Sequence, residues 1–222
     1  MTTITVAGEA EIEHAAELGT VHLSVSTEGA DRRSVVEEAA GIHSAIVAGV
    51  VALHEADSAA LTRWASDGVT VSSARPWNQD GRQLPFVHTA TAPVTVTFAD
   101  AGTLSEWLGS VATNDGVVVT GVEWSLTDAT REAVTADVRA QAVKAAVRAA
   151  ATYAAALALT GLKPVAVADP GLLDPGAPQP GFAAGPMGAS LRMKGSSPAM
   201  DLAPQPITIT ATVHVRFETG SV

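Results

Sequence analysis

The sequence predicts an α+β fold, in which helices pack on an antiparallel sheet, one of them a long Ala-rich helix, within a single domain. Segments at both ends of the chain alternate apolar and polar residues, which is typical of strands with one solvated face. Between them, residues 129–158 are rich in alanine, the strongest helix former. The chain has 222 residues, 47% of them hydrophobic, enough for one domain with a substantial core.

The N-terminal part predicts two strands and a helix. Residues 4–12 and 18–27 each show the alternation of a strand, and the short gap between them favours a hairpin. Asp31 can cap a helix, because apolar residues recur every three or four positions over residues 35–53.

The middle of the chain predicts more strands and a short helix. Residues 61–77 form a third predicted strand, bent at Asp67-Gly68, and residues 86–98 a fourth, in which Pro93 favours a bulge or an edge position. Asp100 begins a short helix. A turn at residues 113–116 then leads into an apolar run that predicts the central strand.

The long helix follows that strand. Thr127 or Asp128 can cap its start, Gly161 suits a left-handed C-cap, and Lys163-Pro164 is expected to stop it. A brief strand over residues 165–168 is expected next.

The last quarter of the chain has two different parts. A Pro/Gly-rich loop occupies residues 170–206 of the predicted single domain, which spans residues 1–222. Residues 207–218 then give the clearest half-buried strand, with threonine, histidine and arginine on its polar face.

The composition excludes several functions. A net charge of -10 argues against binding to nucleic acid and to anionic membranes. The absence of cysteine excludes disulfides, zinc–thiolate sites, Fe–S clusters and thiol catalysis. The apolar end of the Ala-rich helix is about half as long as the roughly 20 residues of a membrane span, so no transmembrane segment is expected. No signal peptide is visible, so a cytoplasmic location is expected.

No motif for catalysis, cofactors or metals stands out. H-E-x-x-H, the P-loop, G-x-S-x-G and G-x-G-x-x-G following a strand are all absent. His22, His88 and His214 either meet across a sheet to share a metal ion or, as we favour, face solvent on separate strands. We therefore expect no catalytic residue, no cofactor and no metal.

Two other residue groups leave alternatives open. Glu9, Glu11 and Glu13 share one strand face, which either binds a cation or is simply solvated, as we favour. The four tryptophans either line a ligand pocket or pack in the core, and core packing is favoured for at least two of them.

The order of these elements resembles the SIMPL domain, also called the DUF541 family. The segments that carry the resemblance are residues 4–10, 26–29, 69–71, 77–81 and 114–128, then Ala142, Ala145, Ala146 and Ala149, the Pro-rich loop and the closing strand. The resemblance implies an α+β fold. It also implies homo-oligomers, because some bacterial members form rings or channels, and a link to stress responses in some members. Many members are exported, and no catalytic residues are established for the family.

We expect a non-enzymatic, oligomerising scaffold or protein-interaction domain of the SIMPL type. The alternatives are a small-molecule or lipid-binding module and, further off, an unrecognised hydrolase. The Pro/Gly-rich loop is too apolar for an inert linker, yet its side chains cannot offset the entropy of ordering it. We therefore expect it to dock on a neighbouring subunit or protein partner through Phe182, Met187, Leu191 and Met193; the alternative is a disordered insertion without a role.

Overall fold

The computed structural model describes residues 1–77, 79, 82–173 and 202–220, and these form two compact units. The first unit holds the described residues of Met1–Ala15, Leu126–Met187 and Pro206–Val222, and the second those of Ala16–Ser125 and Gly188–Gln205. In chain order the elements are β1 (Thr2–His14), β2 (Leu18–Gly29), α1 (Arg32–Ala56), β3 (Leu61–Ser66), β4 (Thr70–Ala74), β5 (Val87–Phe98), α2 (Ala101–Val111), β6 (Val117–Ser125), α3 (Asp128–Ala156), β7 (Thr160–Ala168) and β8 (Ile207–Gly220). The antiparallel α+β fold is confirmed; how many domains it comprises stays a prediction.

The first unit is a three-stranded antiparallel sheet with one helix on it. The strand order is β1-β8-β7, so the closing strand β8 lies in the centre. β1 is paired with β8 along its whole length, from Thr2 opposite Thr219 to His14 opposite Ile207. α3 packs on this sheet, and its buried residues recur every four positions: Val134, Val138, Ala142, Ala146, Ala150 and Ala154. The four alanines of this stripe share a core with apolar side chains of β1 and β8.

The alanine stripe brings α3 unusually close to β1. A Cβ atom placed on Gly8 of β1 would lie 2.5 Å from the backbone nitrogen of Ala146 and 2.7 Å from its Cβ, and would also overlap the Ala142 carbonyl. Only glycine at this strand position and alanine on the helix leave room for such contact. The alanine content of α3 therefore serves packing as well as helix propensity.

The start of α3 agrees with the sequence and its end does not. The Thr127 hydroxyl caps the helix by accepting from the Thr130 N–H at 3.3 Å. The prediction that Gly161 is the C-cap is wrong, because the helix ends at Ala156 and Gly161 belongs to β7. Ala158 instead takes the left-handed conformation, with φ of 54°. The Leu159 N–H donates to the Ala154 carbonyl at 2.9 Å, and that of Ala158 to Ala155 at 3.1 Å, which together form a Schellman motif.

The second unit is a five-stranded antiparallel sheet with two helices. The strand order is β3-β5-β2-β6, and β4 also pairs with β5. Its core joins β2 and β5 to one face of α1 and to α2, and the largest fully buried side chains in it are Phe98, Leu61, Leu104 and Leu108. Leu202 is half-buried against the same core.

Both predicted aspartate caps of the second unit are confirmed. The Asp31 carboxylate accepts from the Ser34 N–H at 2.8 Å at the start of α1, and Asp100 accepts from the Thr103 N–H at the start of α2. α1 is also long and apolar enough to cross a membrane, by length and composition alone. Its exposed residues in the first two turns include Arg32, Arg33, Glu37 and Glu38, and alanine and glycine predominate among those that follow. The absence of a transmembrane segment stays a prediction.

The hairpin predicted from the first two strands is wrong. β1 pairs with β8 at the other end of the chain, and β2 pairs with β5 and β6. Alternation identifies a strand with one solvated face, but it carries no information about the partner strand. The short connection between β1 and β2 was therefore not evidence that the two strands pair.

The third predicted strand is two strands, and Pro93 lies on neither a bulge nor an edge. β3 and β4 both pair with β5, and the chain between them passes Pro93, whose carbonyl accepts from the Asp67 N–H at 3.2 Å. The N–H and C=O of a strand residue point to the same side, so the N–H that proline lacks would point into this gap. The break between β3 and β4 therefore explains how a central strand, regularly paired with β2 through Ser24, tolerates a proline.

Candidate functional site

The three strand histidines lie in separate settings. His22 lies on β2, where its Nε2 is 3.7 Å from an oxygen of Glu123, and His88 lies on β5, seven residues from the partner of His22. His214 lies on β8, in the other unit. Among the described residues, no group of three or more His, Asp or Glu side chains could hold a metal ion. That the protein has no metal site stays a prediction.

The acidic row on β1 is exposed. Glu9, Glu11 and Glu13 point to the face of the sheet away from α3, in alternation with residues that face the helix. A depression of about 310 Å³ lies here, lined by Glu9, Ala10, Glu11, Thr210, Ala211 and Thr212. It is open to solvent, whereas a small-molecule site typically buries most of its ligand.

Three of the four tryptophans belong to the core of the second unit, as predicted for at least two. Trp107 is buried on α2, its ring 5.3 Å from that of Phe98, and Trp64 and Trp124 are half-buried against the same core. Trp77 differs from them, because 80% of its surface is exposed.

A continuous set of polar and aromatic contacts joins Arg32, Ser73, His88, Phe86 and Arg75 on the second unit. We call these five residues, together with the exposed Trp77 two residues after Arg75, the arginine–aromatic surface. The Arg32 guanidinium donates to the Ser73 hydroxyl at 3.2 Å, and that hydroxyl is 2.7 Å from His88 Nδ1. The His88 ring stacks on Phe86, with centroids 6.4 Å apart. The Arg75 guanidinium lies over the other ring of this stack, Phe86, at 4.3 Å.

Four elements position this surface. Arg32 is the first residue of α1, immediately after the Asp31 cap. Ser73 of β4 lies directly opposite His88 of β5 in the antiparallel register. Arg75 follows β4, and its Nη1 also donates to the Gln83 side-chain oxygen at 3.1 Å. Phe86 precedes β5 and is 47% exposed.

Sequence reasoning did not identify this surface. The available signal was Arg75 and Trp77 just before a polar turn and the aromatic Phe86 just after it. The residues predicted to make a docking contact, Phe182, Met187, Leu191 and Met193, lie outside the described residues, and their role stays a prediction.

A protein-family model described as SIMPL, a protein of unknown function (DUF541), matches residues 4–217. The chain belongs to the SIMPL family. The resemblance inferred from the order of the elements is thus confirmed over almost the whole chain. None of the curated proteins matches it. Because the function of the family is unknown, membership supports the fold and assigns no role to any residue of this SIMPL protein.

One clear pKa shift in this SIMPL protein has a structural cause. The Thr103 backbone N–H, followed by the Thr103 side chain, lowers the pKa of Asp100 below its ordinary value of 3.8. Asp100 is the cap of α2, so this shift reports helix capping.

The arginine–aromatic surface offers two guanidinium groups and two exposed rings, which suit recognition of another molecule.

Proposed function

We propose that this SIMPL protein is a non-enzymatic scaffold that associates with copies of itself and binds a protein partner. The observation that carries the proposal is the arginine–aromatic surface of the second unit. Arginine, tryptophan and phenylalanine are enriched in protein interfaces, and arginine and tryptophan are enriched among the residues that dominate binding energy. Here Arg75 lies over Phe86, and Trp77, two residues after Arg75, is exposed.

The composition of the surface favours a protein over a small ligand. Within the described residues, Trp77 is 80% exposed and Phe86 47% exposed, so a small molecule bound on these rings would stay largely hydrated. A protein partner can cover the rings and exclude water from the guanidinium groups, which strengthens each interaction. The Arg75 contact with Phe86 also fixes the guanidinium before binding, which lowers the entropy cost of recognition.

Light scattering of the purified protein over a range of concentrations tests the self-association. We expect a mass of at least twice 22.5 kDa, the mass of one chain. A mass of 22.5 kDa at every concentration would contradict the proposal.

Substitution of the exposed ring tests the partner-binding role of the surface. Trp77→Ala should leave the thermal melt unchanged, because the side chain is exposed, and should weaken binding to any partner of this protein at least tenfold. Val118→Ala, at another exposed apolar residue of the second unit, is the matched control and should bind like wild type. Equal affinities of the two variants would remove the surface from the proposal.

A further inference from the structure

The sheet edges within the described residues differ in how they are protected against pairing with another chain. Natural edges are protected by proline, charge, bulges or short strands. β7 carries Lys163 and Pro164 and two register shifts against β8. In the five-stranded sheet, one edge is divided into two short strands, β3 and β4. β6, which forms the other edge of that sheet, has a register shift against β2 between His22 and Leu23.

β1 is the least protected of these edges. It runs for 13 residues, contains no proline, and keeps an unshifted register with β8 throughout. Its second half carries Glu9, Glu11 and Glu13, but no charged side chain lies in its first half, residues 2–7. The other side of β1 pairs with no strand of its unit among the described residues.

We propose that two copies of this chain pair antiparallel through β1, about a two-fold axis at Gly8. This inference rests on the proposed self-association and specifies the contact that produces it. The pairing joins two three-stranded sheets into one six-stranded sheet, and the same strand serves on both sides, as a two-fold interface requires.

The length of β1 selects the register. Antiparallel pairing about Gly8 places Thr2 opposite His14 of the second copy, so that all 13 residues are paired. Any other register leaves backbone donors and acceptors at the ends of the strand without partners.

The charges of the sheet face favour the same arrangement. A parallel pairing in register would place the two rows of glutamates side by side. The antiparallel pairing about Gly8 instead places Glu11 of the second copy opposite Thr5, whose neighbour on β8 is Arg216, with Nε 3.5 Å from the Thr5 hydroxyl. Glu9 then lies opposite Ala7, whose neighbour on β8 is His214. Glu13 of the second copy lies opposite Thr3, whose neighbour on β8 is Glu218. This approach of two like charges occurs only near the end of the paired strands, where solvent screens the repulsion most.

The position of α3 is compatible with this pairing. α3 packs on β1 and β8, so its axis lies about one strand spacing from the shared edge. Strands are about 4.8 Å apart, which puts the two copies of α3 about 9.6 Å apart on the same face. Packed helices lie about 8–10 Å apart, so this spacing accommodates the second copy of α3.

Charge at one position tests the register. Thr5→Glu adds a carboxylate opposite Glu11 of the second copy, so we expect the mass of the assembly to fall at least twofold with an unchanged melt. Thr160→Glu, the same change at the β7 edge of the same sheet, should keep the wild-type mass. Thr5→Glu/Glu11→Lys should restore that mass, because each new carboxylate then faces a lysine.

Crosslinking tests the contact independently of folding effects. The chain has no cysteine, so Thr5→Cys/Glu11→Cys introduces the only two thiols. Within one strand these thiols are about 20 Å apart and cannot join, whereas across the proposed pair they are directly opposite. We expect a covalent dimer on oxidation, and none from Thr160→Cys/Glu11→Cys.

The outcomes separate this inference from the proposed function. A wild-type assembly whose mass Thr5→Glu leaves unchanged, or that forms no 5–11 crosslink, overturns the β1 pairing and leaves self-association standing. Failure of Glu11→Lys to restore the mass overturns the register about Gly8. A wild-type monomer at all concentrations overturns both proposals.

Discussion

Gly8 has no side chain, and this allows α3 to pack closely on its sheet. Gly8→Ala would push a methyl group into the Ala146 backbone nitrogen and the Ala142 carbonyl. Overpacking usually costs about 1–3 kcal/mol, and backbone atoms cannot rotate away, so we expect a loss at the upper end of this range. The midpoint of urea unfolding measures it.

Gly41→Ala is the matched control for this substitution. A Cβ there meets nothing within 4 Å on α1, and alanine is the better helix former. It should therefore stabilise the protein by about 0.5–1 kcal/mol. Equal losses for the two variants would contradict the close packing of α3 on β1.

Ala158 adopts a backbone conformation that suits glycine. A left-handed conformation costs an L-residue about 1–2 kcal/mol, which glycine avoids. Glycine also raises the entropy of the unfolded chain, which lowers the free energy of unfolding by about 0.4–1 kcal/mol. Ala158→Gly should thus raise the free energy of unfolding by about 0.5–1 kcal/mol, seen as a higher melting temperature. Ala151→Gly, exposed within the same helix, should lower it by about 1 kcal/mol. A destabilised Ala158→Gly variant would show that the Schellman motif is not formed.

At the scale of elements, local signals were predictable from sequence and partners were not. Asp31, Asp100 and Thr127 cap their helices because each bonds an N–H three residues on, which sequence spacing shows directly. The partner of β1 is β8, whose paired residues lie 193 (His14 and Ile207) to 217 (Thr2 and Thr219) positions away in the chain, and no local pattern indicates it. Gly161 does have a positive φ of 69°, yet within β7, so composition located the residue type and missed its element.

The Asp100 cap makes the stability of α2 depend on pH. The pKa of Asp100 lies below 3.8 in the folded protein, so its stabilising effect is complete above that pH and is lost as pH falls through the folded pKa. Asp100→Ala should therefore lower the urea midpoint at neutral pH. The difference from wild type should shrink in acid, well below pH 3.8. Asp100→Asn keeps an acceptor without the charge and should lose less at neutral pH. A difference independent of pH would contradict the role of the carboxylate charge.

At the scale of the whole molecule, no local sequence pattern predicted that the residues of the arginine–aromatic surface would meet. Its residues are spread from Arg32 to His88 and meet because β4 and β5 pair in one register and α1 begins beside them. Local sequence patterns do not report contacts between residues that are distant in the chain. The expected function followed from the family resemblance, and the family itself is of unknown function.

The two compact units raise the question of whether either folds alone. Every buried residue of the core of the second unit lies between Val21 and Val122, and Trp124 is half-buried against it. Among the described residues, only the half-buried Leu202 joins this core from outside residues 16–125. The first unit draws on three separate parts of the chain and cannot be excised as one segment. A fragment of residues 16–125, about 110 residues, is large enough for an independent core. We expect it to unfold in one cooperative transition by circular dichroism.

Substitutions within this fragment supply the control. Phe98→Ala removes a fully buried ring, which costs about 3–5 kcal/mol. Because domains of this size have only about 5–15 kcal/mol of stability, the transition should move to a much lower temperature. Thr120→Ala, at an exposed position of β6, should leave the transition in place. A fragment without a cooperative transition would instead favour the single domain predicted from the sequence, because the core of the second unit would then depend on the rest of the chain.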